Sequence, residues 1–155
     1  MLNIGDKAPD FNLPCSDGTS VSLSQFSGHP VVLFFYPRDD TPGCTTECIN
    51  FSKVKDDFEA TGAVLLGISK DSLHSHTKFI DKHQLSVPLL SDENGTTCED
   101  YGVWKEKNMY GKTYMGIERS TFLIDSNGII YQIWRKVKVA QHVENVLNTV
   151  QSSKS

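Results

Sequence analysis

Cys44 is the residue whose setting could make it a reagent. It closes the string Pro37-Arg-Asp-Asp-Thr41-Pro-Gly-Cys44, which follows the apolar run Val31–Tyr36 and leads into a stretch of helical spacing. A cysteine at a strand-to-helix turn lies near the positive end of a helix macrodipole. Unpaired backbone N–H groups point outward there and favour an anion. A thiol so placed tends toward thiolate, the form that acts as a nucleophile. Thr41, three residues earlier, can aim a hydroxyl at the same sulfur. An ordinary thiol, with a pKa of about 8.5, is only a few per cent ionised at pH 7. A helix end supplies about 0.3–1 kcal/mol toward the anion, so a cation is needed as well.

The elements that must hold this turn can be read from apolar spacing. Val31–Tyr36 is continuous and rich in β-formers, as in a strand covered on both faces. Cys44, Cys48, Phe51, Val54, Lys55 and Phe58 then share one side of a helix expected to end near Gly62. Ala63–Ser69 reads as a second buried strand, and Asp71 and Ser72 as caps of a helix reaching about His83, before Pro88-Leu89-Leu90. Asp10–Pro14 and Thr19–Leu23 suggest a short N-terminal hairpin, and Gly95–Gly102 a short helix. Thr121–Ile124 and Ile129–Trp134 flank Ser126-Asn-Gly128 as a second hairpin. A last helix is expected over Val139–Val150, with a frayed tail from Gln151 to Ser155. This order of elements predicts one domain over residues 1–150, an α/β three-layer sandwich around a mixed central sheet with an N-terminal β-hairpin extension.

Composition narrows the classes. With 155 residues, 38% hydrophobic, 22% charged and a net charge of −4, the chain reads as an ordinary globular protein. Its densest basic group, Arg135, Lys136 and Lys138, reads as a solvated edge, so no nucleic-acid partner is expected. The longest apolar run has six residues, so no membrane span is expected. The N-terminus lacks an apolar signal segment, which predicts a cytoplasmic location with reduced cysteines. Cys44-x3-Cys48 is not the C-x2-C of zinc sites and no second pair exists, so neither metal nor cofactor is expected. His74 and His76 read as surface or capping residues, and Asp39 and Asp40 as a solvated loop. Phe35 and Tyr36 read as core and pocket wall.

Pro37, Thr41 and Cys44 together form Pro-x3-Thr-x2-Cys, which resembles the peroxiredoxin signature. Phe35 through Glu47 resembles its peroxiredoxin Q, or bacterioferritin-comigratory-protein, branch. Further matching strings run from Gly5–Phe11 through Gly67–Ser72 and Pro88–Asp92 to Glu118–Asp125, nearly the whole chain. The resemblance implies a thioredoxin-like fold and a thiol-dependent peroxidase reducing hydrogen peroxide and organic hydroperoxides, active in antioxidant defence. It makes Cys44 the peroxidatic cysteine, oxidised to a sulfenic acid, and Arg119 the cation beside it. Thr41 would accept from the peroxide and donate to the thiolate. Backbone N–H groups of Gly43 and Cys44 would stabilise the peroxide oxygens, Pro37 would shield the pocket, and Glu47 would orient the arginine. Thioredoxin, glutaredoxin or a small thiol would regenerate the enzyme, and a monomer is expected. Met109–Ile117 would lie near the pocket mouth.

The chain departs from that branch at its second thiol. The two positions that usually carry the resolving cysteine hold Ile49 and Ile80. Cys48 is the remaining candidate, and two readings stay open. Residues four apart on a helix have Cβ atoms about 5–6 Å apart, whereas a disulfide wants about 3.5–4.5 Å. Resolution by Cys48 would therefore distort the first helical turn; otherwise it is a buried structural thiol and the cycle uses one cysteine. Cys15 and Cys98 read as structural. Two rival functions use the same cysteine. A thioredoxin-like disulfide oxidoreductase would want C-x2-C and, by family resemblance, a cis-proline where Arg119-Ser-Thr stands. A redox sensor or relay would pass oxidation of Cys44 to a partner.

Overall fold

The computed structural model describes residues 1–153. Its centre is β3 (Val31–Phe35), buried along its whole length. β3 runs parallel to β4 (Val64–Ser69), which runs parallel to β5 (Leu89–Ser91). On its other side β3 pairs antiparallel with β8 (Ser120–Ile124), and β8 with β9 (Ile130–Trp134). The sheet order is β5-β4-β3-β8-β9, the expected mixed sheet. The N-terminal hairpin also forms, as β1 (Asn12–Pro14) and β2 (Ser20–Ser22).

Alternation along β3 divides the core. Val32, Phe34 and Tyr36 face a layer made by α1 (Pro42–Lys53), α2 (Lys55–Ala60), α3 (Leu73–His83) and α5 (His142–Ser152), meeting Phe51, Phe58, Phe79 and Val146. Leu33 and Phe35 face the N-terminal segment and α4 (Thr97–Asp100), meeting Phe11, Leu13, Cys98 and Tyr101. Leu13 and Val21 from the hairpin lie buried in that second cluster, which explains why a two-stranded ribbon is stable here. No helix among the described residues is long and apolar enough to cross a membrane.

Several expectations are corrected. The single helix expected from Cys44 to Gly62 is two, broken at Val54 (φ −112, ψ 16). There the Ser52 carbonyl accepts from the Ser86 hydroxyl, and Ser52 Oγ accepts from the Ser86 and Val87 amides, tying the end of α1 to the loop after α3. The last helix begins at His142, after Gln141 in a left-handed conformation, and continues to Ser152, so residues 151 and 152 are helical rather than frayed. Lys154 and Ser155, the end of the expected tail, lie outside the described residues. An additional hairpin, β6 (Trp104–Met109) and β7 (Lys112–Ile117), stands apart from the main sheet. Its strands are mostly exposed and lack apolar alternation, and its Tyr110-Gly111 turn has φ of 52 and 77, as a two-residue hairpin turn requires.

Gly67, in β4, shows how tightly the helical face is filled. A Cβ there would lie 2.6 Å from Phe34 Cζ and 2.8 Å from Leu89 Cδ2. Gly67→Ala is expected to destabilise the protein by about 1–3 kcal/mol through overpacking, measured as a lowered urea midpoint with an unchanged slope.

Candidate active site

The parallel and antiparallel neighbours of β3 bring the site together. The Phe35–Ser120 register sets the start of β8 beside the end of β3, so Arg119 faces the loop that begins at Pro37. The backbone around Arg119 is held on both sides: the Glu118 amide donates to Val103 O, and the Val137 amide donates to Arg119 O. Thr41 is the N-cap of α1 in extended conformation, with Pro42 in the first turn, where a missing N–H costs nothing. Cys44 therefore sits in that first turn, 1% exposed, its sulfur at the end of the helix where amides point outward.

Arg119 spans two partners. Nη2 donates to Cys44 Sγ at 3.3 Å, and Nη1 donates to Glu47 Oε1 at 2.6 Å. The planar fork of the guanidinium lets one side chain serve both. Gly43 makes room for it: a Cβ at that position would stand 3.2 Å from Nη2. Pro37 is half-buried at the end of β3. Thr41 differs from expectation. Its single hydroxyl proton goes to Arg38 O at 2.8 Å, which leaves its lone pairs, not its proton, for other partners.

Behind the arginine the site is buried and polar. Glu47 is fully buried, and burial pushes its carboxyl up to about 7 while Arg119 pulls it back. Among the described residues its Oε2 has no hydrogen-bond partner, and it lies 3.9 Å from His142 Nε2. That approach is not an ion pair, because burial and Arg119 lower His142 to about 4 and keep it neutral at pH 7. His142 Nε2 instead pairs with Thr121 Oγ1 at 2.8 Å. On the solvent side, Lys107 from β6 is half-buried; burial and Arg119 lower its ammonium, while Cys44 acts in the opposite direction. His142 and Lys107 were not singled out from sequence. The one available signal was His142 standing directly before the Val143–Val146 face.

Two loop readings are corrected. His76 is fully buried and Asp39 is 9% exposed, and the two side chains meet, so neither is a surface group. His76 shares a helix face with Phe79 and Ile80, a spacing that points it inward. His74 and Asp40 are exposed as expected.

The other cysteines are remote from solvent. Among the described residues all four are free thiols. Cys48 is fully buried between Phe51 and the sheet, and burial, then Glu47 and Cys44, drive its thiol well up. Burial also raises Cys98 and Cys15.

Known proteins resemble the chain over most of its length. The AhpC/TSA family profile matches residues 4–133. Peroxiredoxin Bcp of Bacillus subtilis is 48% identical over 149 residues, covering 96% of this chain and 95% of that protein. The solved bacterioferritin comigratory protein of Xanthomonas campestris is 45% identical, with a TM-score of 0.89, over 94% of this chain and 92% of that one. A cysteine-to-serine mutant of Xylella fastidiosa PrxQ superposes with a TM-score of 0.94 at 40% identity, over 100% and 99% of the two chains. The chain belongs to the AhpC/TSA family of thioredoxin-like peroxiredoxins and, within it, to the Bcp, or peroxiredoxin Q, branch.

Two expectations follow from the arginine's contacts. Gly43→Ala should displace the guanidinium by a few tenths of an ångström or more and lower kcat/KM for peroxide about tenfold or further, with an unchanged fold by circular dichroism. Glu47 binds a proton more tightly folded than unfolded, so its contribution to stability is full below pH 4.5 and is lost as pH rises through about 7. Glu47→Gln should remove that loss from urea midpoints measured across this window, together with any inflection near pH 7 in the peroxide-consumption rate.

Proposed function

We propose that this protein is a thiol-dependent peroxidase in which Cys44 is the peroxidatic cysteine and Arg119 its activating cation. The observation that carries the reading is one guanidinium bridging the Cys44 sulfur and the buried Glu47 carboxyl. In the reaction the Cys44 thiolate attacks the terminal, hydrogen-bearing oxygen of a hydroperoxide. An S–O bond forms, the O–O bond breaks, Cys44 becomes a sulfenic acid, and the departing alkoxide or hydroxide takes up a proton. Arg119 and the first-turn amides of Gly43 and Cys44 stabilise the charge that moves onto oxygen. Thr41, its proton given to Arg38 O, acts as acceptor for the peroxide O–H. Pro37 closes the wall of the pocket.

The substrates are hydrogen peroxide and organic hydroperoxides. The Xanthomonas campestris relative has alkyl peroxide reduction activity, which supports the organic class. The cycle uses one cysteine. Burial raises the thiols of Cys15, Cys48 and Cys98, and Ile49 and Ile80 occupy the positions where the resemblance expects a resolving cysteine. An external thiol, from thioredoxin, glutaredoxin or a small molecule, therefore completes turnover. The protein acts as a single-domain monomer in the cytoplasm, in antioxidant defence.

Treating reduced protein with one equivalent of hydrogen peroxide in the presence of a sulfenic-acid trap tests this directly. Peptide mass analysis should place the adduct on Cys44 with no internal disulfide, and Cys48→Ser should turn over with dithiothreitol at the wild-type rate. Loss of two hydrogens mapped to a Cys44–Cys48 link would make Cys48 the resolver. Absence of selective change at Cys44 would end the peroxidase reading. Oxidation of Cys44 without multiple turnovers would favour the sensor.

A further inference from the structure

The β6–β7 hairpin has two unlike faces. Residues paired across antiparallel strands point the same way, and the register sets Lys105 against Gly116, Lys107 against Tyr114 and Met109 against Lys112. That face carries lysines at 105, 107 and 112 and no acidic side chain. The opposite face includes the Trp104–Ile117 pair, and both of these pack with the core cluster that holds Phe35 and Tyr101. Core packing thus fixes the base of the hairpin and leaves the lysines on its other side.

Lys107 is the lysine tied to the reaction centre. Its stem lies over Gly116, where a Cβ would stand 3.2 Å from Lys107 Cδ and 3.4 Å from Cε. Gly116 is three residues before Arg119, so the stem follows the strand that leads into the site. Burial and Arg119 disfavour the charged ammonium, and Cys44 and Glu118 favour it. Among the described residues none of the three lysines has a hydrogen bond or ion pair. A half-buried cation without a counter-ion from its own chain is open to an external anion.

The charge of the site changes through the cycle. Before oxidation Arg119 and Lys107 face the Cys44 thiolate, with Glu47 and Glu118 beside them. Formation of the sulfenic acid removes the thiolate charge. The site is then one unit more positive than before, whatever the protonation of Glu47. A hydroperoxide arrives neutral, whereas a thiol attacks as its anion. The unpaired cation therefore acts most strongly on the second half of the cycle.

We propose that the lysine face receives the reductant as an anion, and that the reductant it fits is a small thiol carrying a carboxylate. Lys107 binds the carboxylate while the thiolate meets the Cys44 sulfur, which is 1% exposed and so suits a slender group better than a protein surface. The incoming sulfur forms an S–S bond as the S–O bond of the sulfenic acid breaks, and the departing hydroxide takes up a proton to become water. A second thiolate attacks the outer sulfur of this mixed disulfide, yielding the external disulfide and restoring the Cys44 thiolate. This assignment rests on the peroxidase reading and names the class of its external thiol.

Two thiols of the same size and different charge provide the test: 3-mercaptopropionate and its neutral amide. Cys44 would first be oxidised with one equivalent of hydrogen peroxide, and quenched-flow mass analysis would then follow loss of the sulfenic acid, with each rate expressed per thiolate. Wild type should favour the carboxylate thiol by about three- to tenfold at low ionic strength, and the preference should shrink toward unity in 1 M salt. Lys107→Met should abolish the preference, Lys107→Arg should keep it, and Lys107→Glu should reverse it. Because each variant is judged by the ratio of two thiols, a general change in Cys44 reactivity cancels. Equal rates in wild type, a preference that survives Lys107→Met, or Lys107→Arg behaving as Met would overturn the proposal. Wild-type Cys44 that forms no sulfenic acid in the first step would instead end the peroxidase reading, a separate failure seen before any thiol is added.

Discussion

The antiparallel pairing of β3 with β8 is the constraint on which the site depends. Cys44 follows β3 by a short loop, while Arg119 lies 75 residues further on and immediately precedes β8. Only the Phe35–Ser120 register sets those two chain ends side by side. A slip of one residue would exchange the two buried faces of β8 and move the arginine along the strand. The six-residue apolar run is therefore more than core. Its pairing partners determine which cation meets the thiol, and filling both faces makes that pairing hard to shift.

Charge is placed here by exclusion of water as much as by proximity. Arg119 remains a cation in any protein setting, so burying it beside Glu47 creates a fixed positive field without risk that the group turns neutral. Glu47 is the adjustable member, its carboxyl held between the cost of burial and the attraction of the arginine. His142, kept neutral, adds a polar wall without a competing charge. The same arrangement that exposes Cys44 to positive charge leaves Cys48, one helical turn away and on the apolar side, strongly protonated.

Much of this was legible in the chain. Val31–Tyr36, the helix beginning near Cys44 and the Ser126-Asn-Gly128 turn all announce themselves by continuous or periodic apolar residues, and the central sheet follows from them. Arg119 and Glu47 were reachable through the family pattern. What stayed hidden depended on tertiary context. The β6–β7 hairpin is held by backbone pairing and a Tyr-Gly turn, with no apolar rhythm to reveal it. Asp39 and His76 look like surface residues individually, and only their meeting makes burial tolerable. The destination of the Thr41 proton depends on where the Arg38 carbonyl points, which no residue pattern encodes.

With Cys44 as the proposed peroxidatic cysteine, the settings of the other three have a consequence for how the molecule wears out. Burial raises the thiols of Cys15, Cys48 and Cys98, so an excess of oxidant would find a single reactive cysteine to attack. Damage beyond the sulfenic stage would then accumulate at that one atom, in copies whose core is otherwise intact. A worn population of this protein would share one inactivating lesion and still be folded.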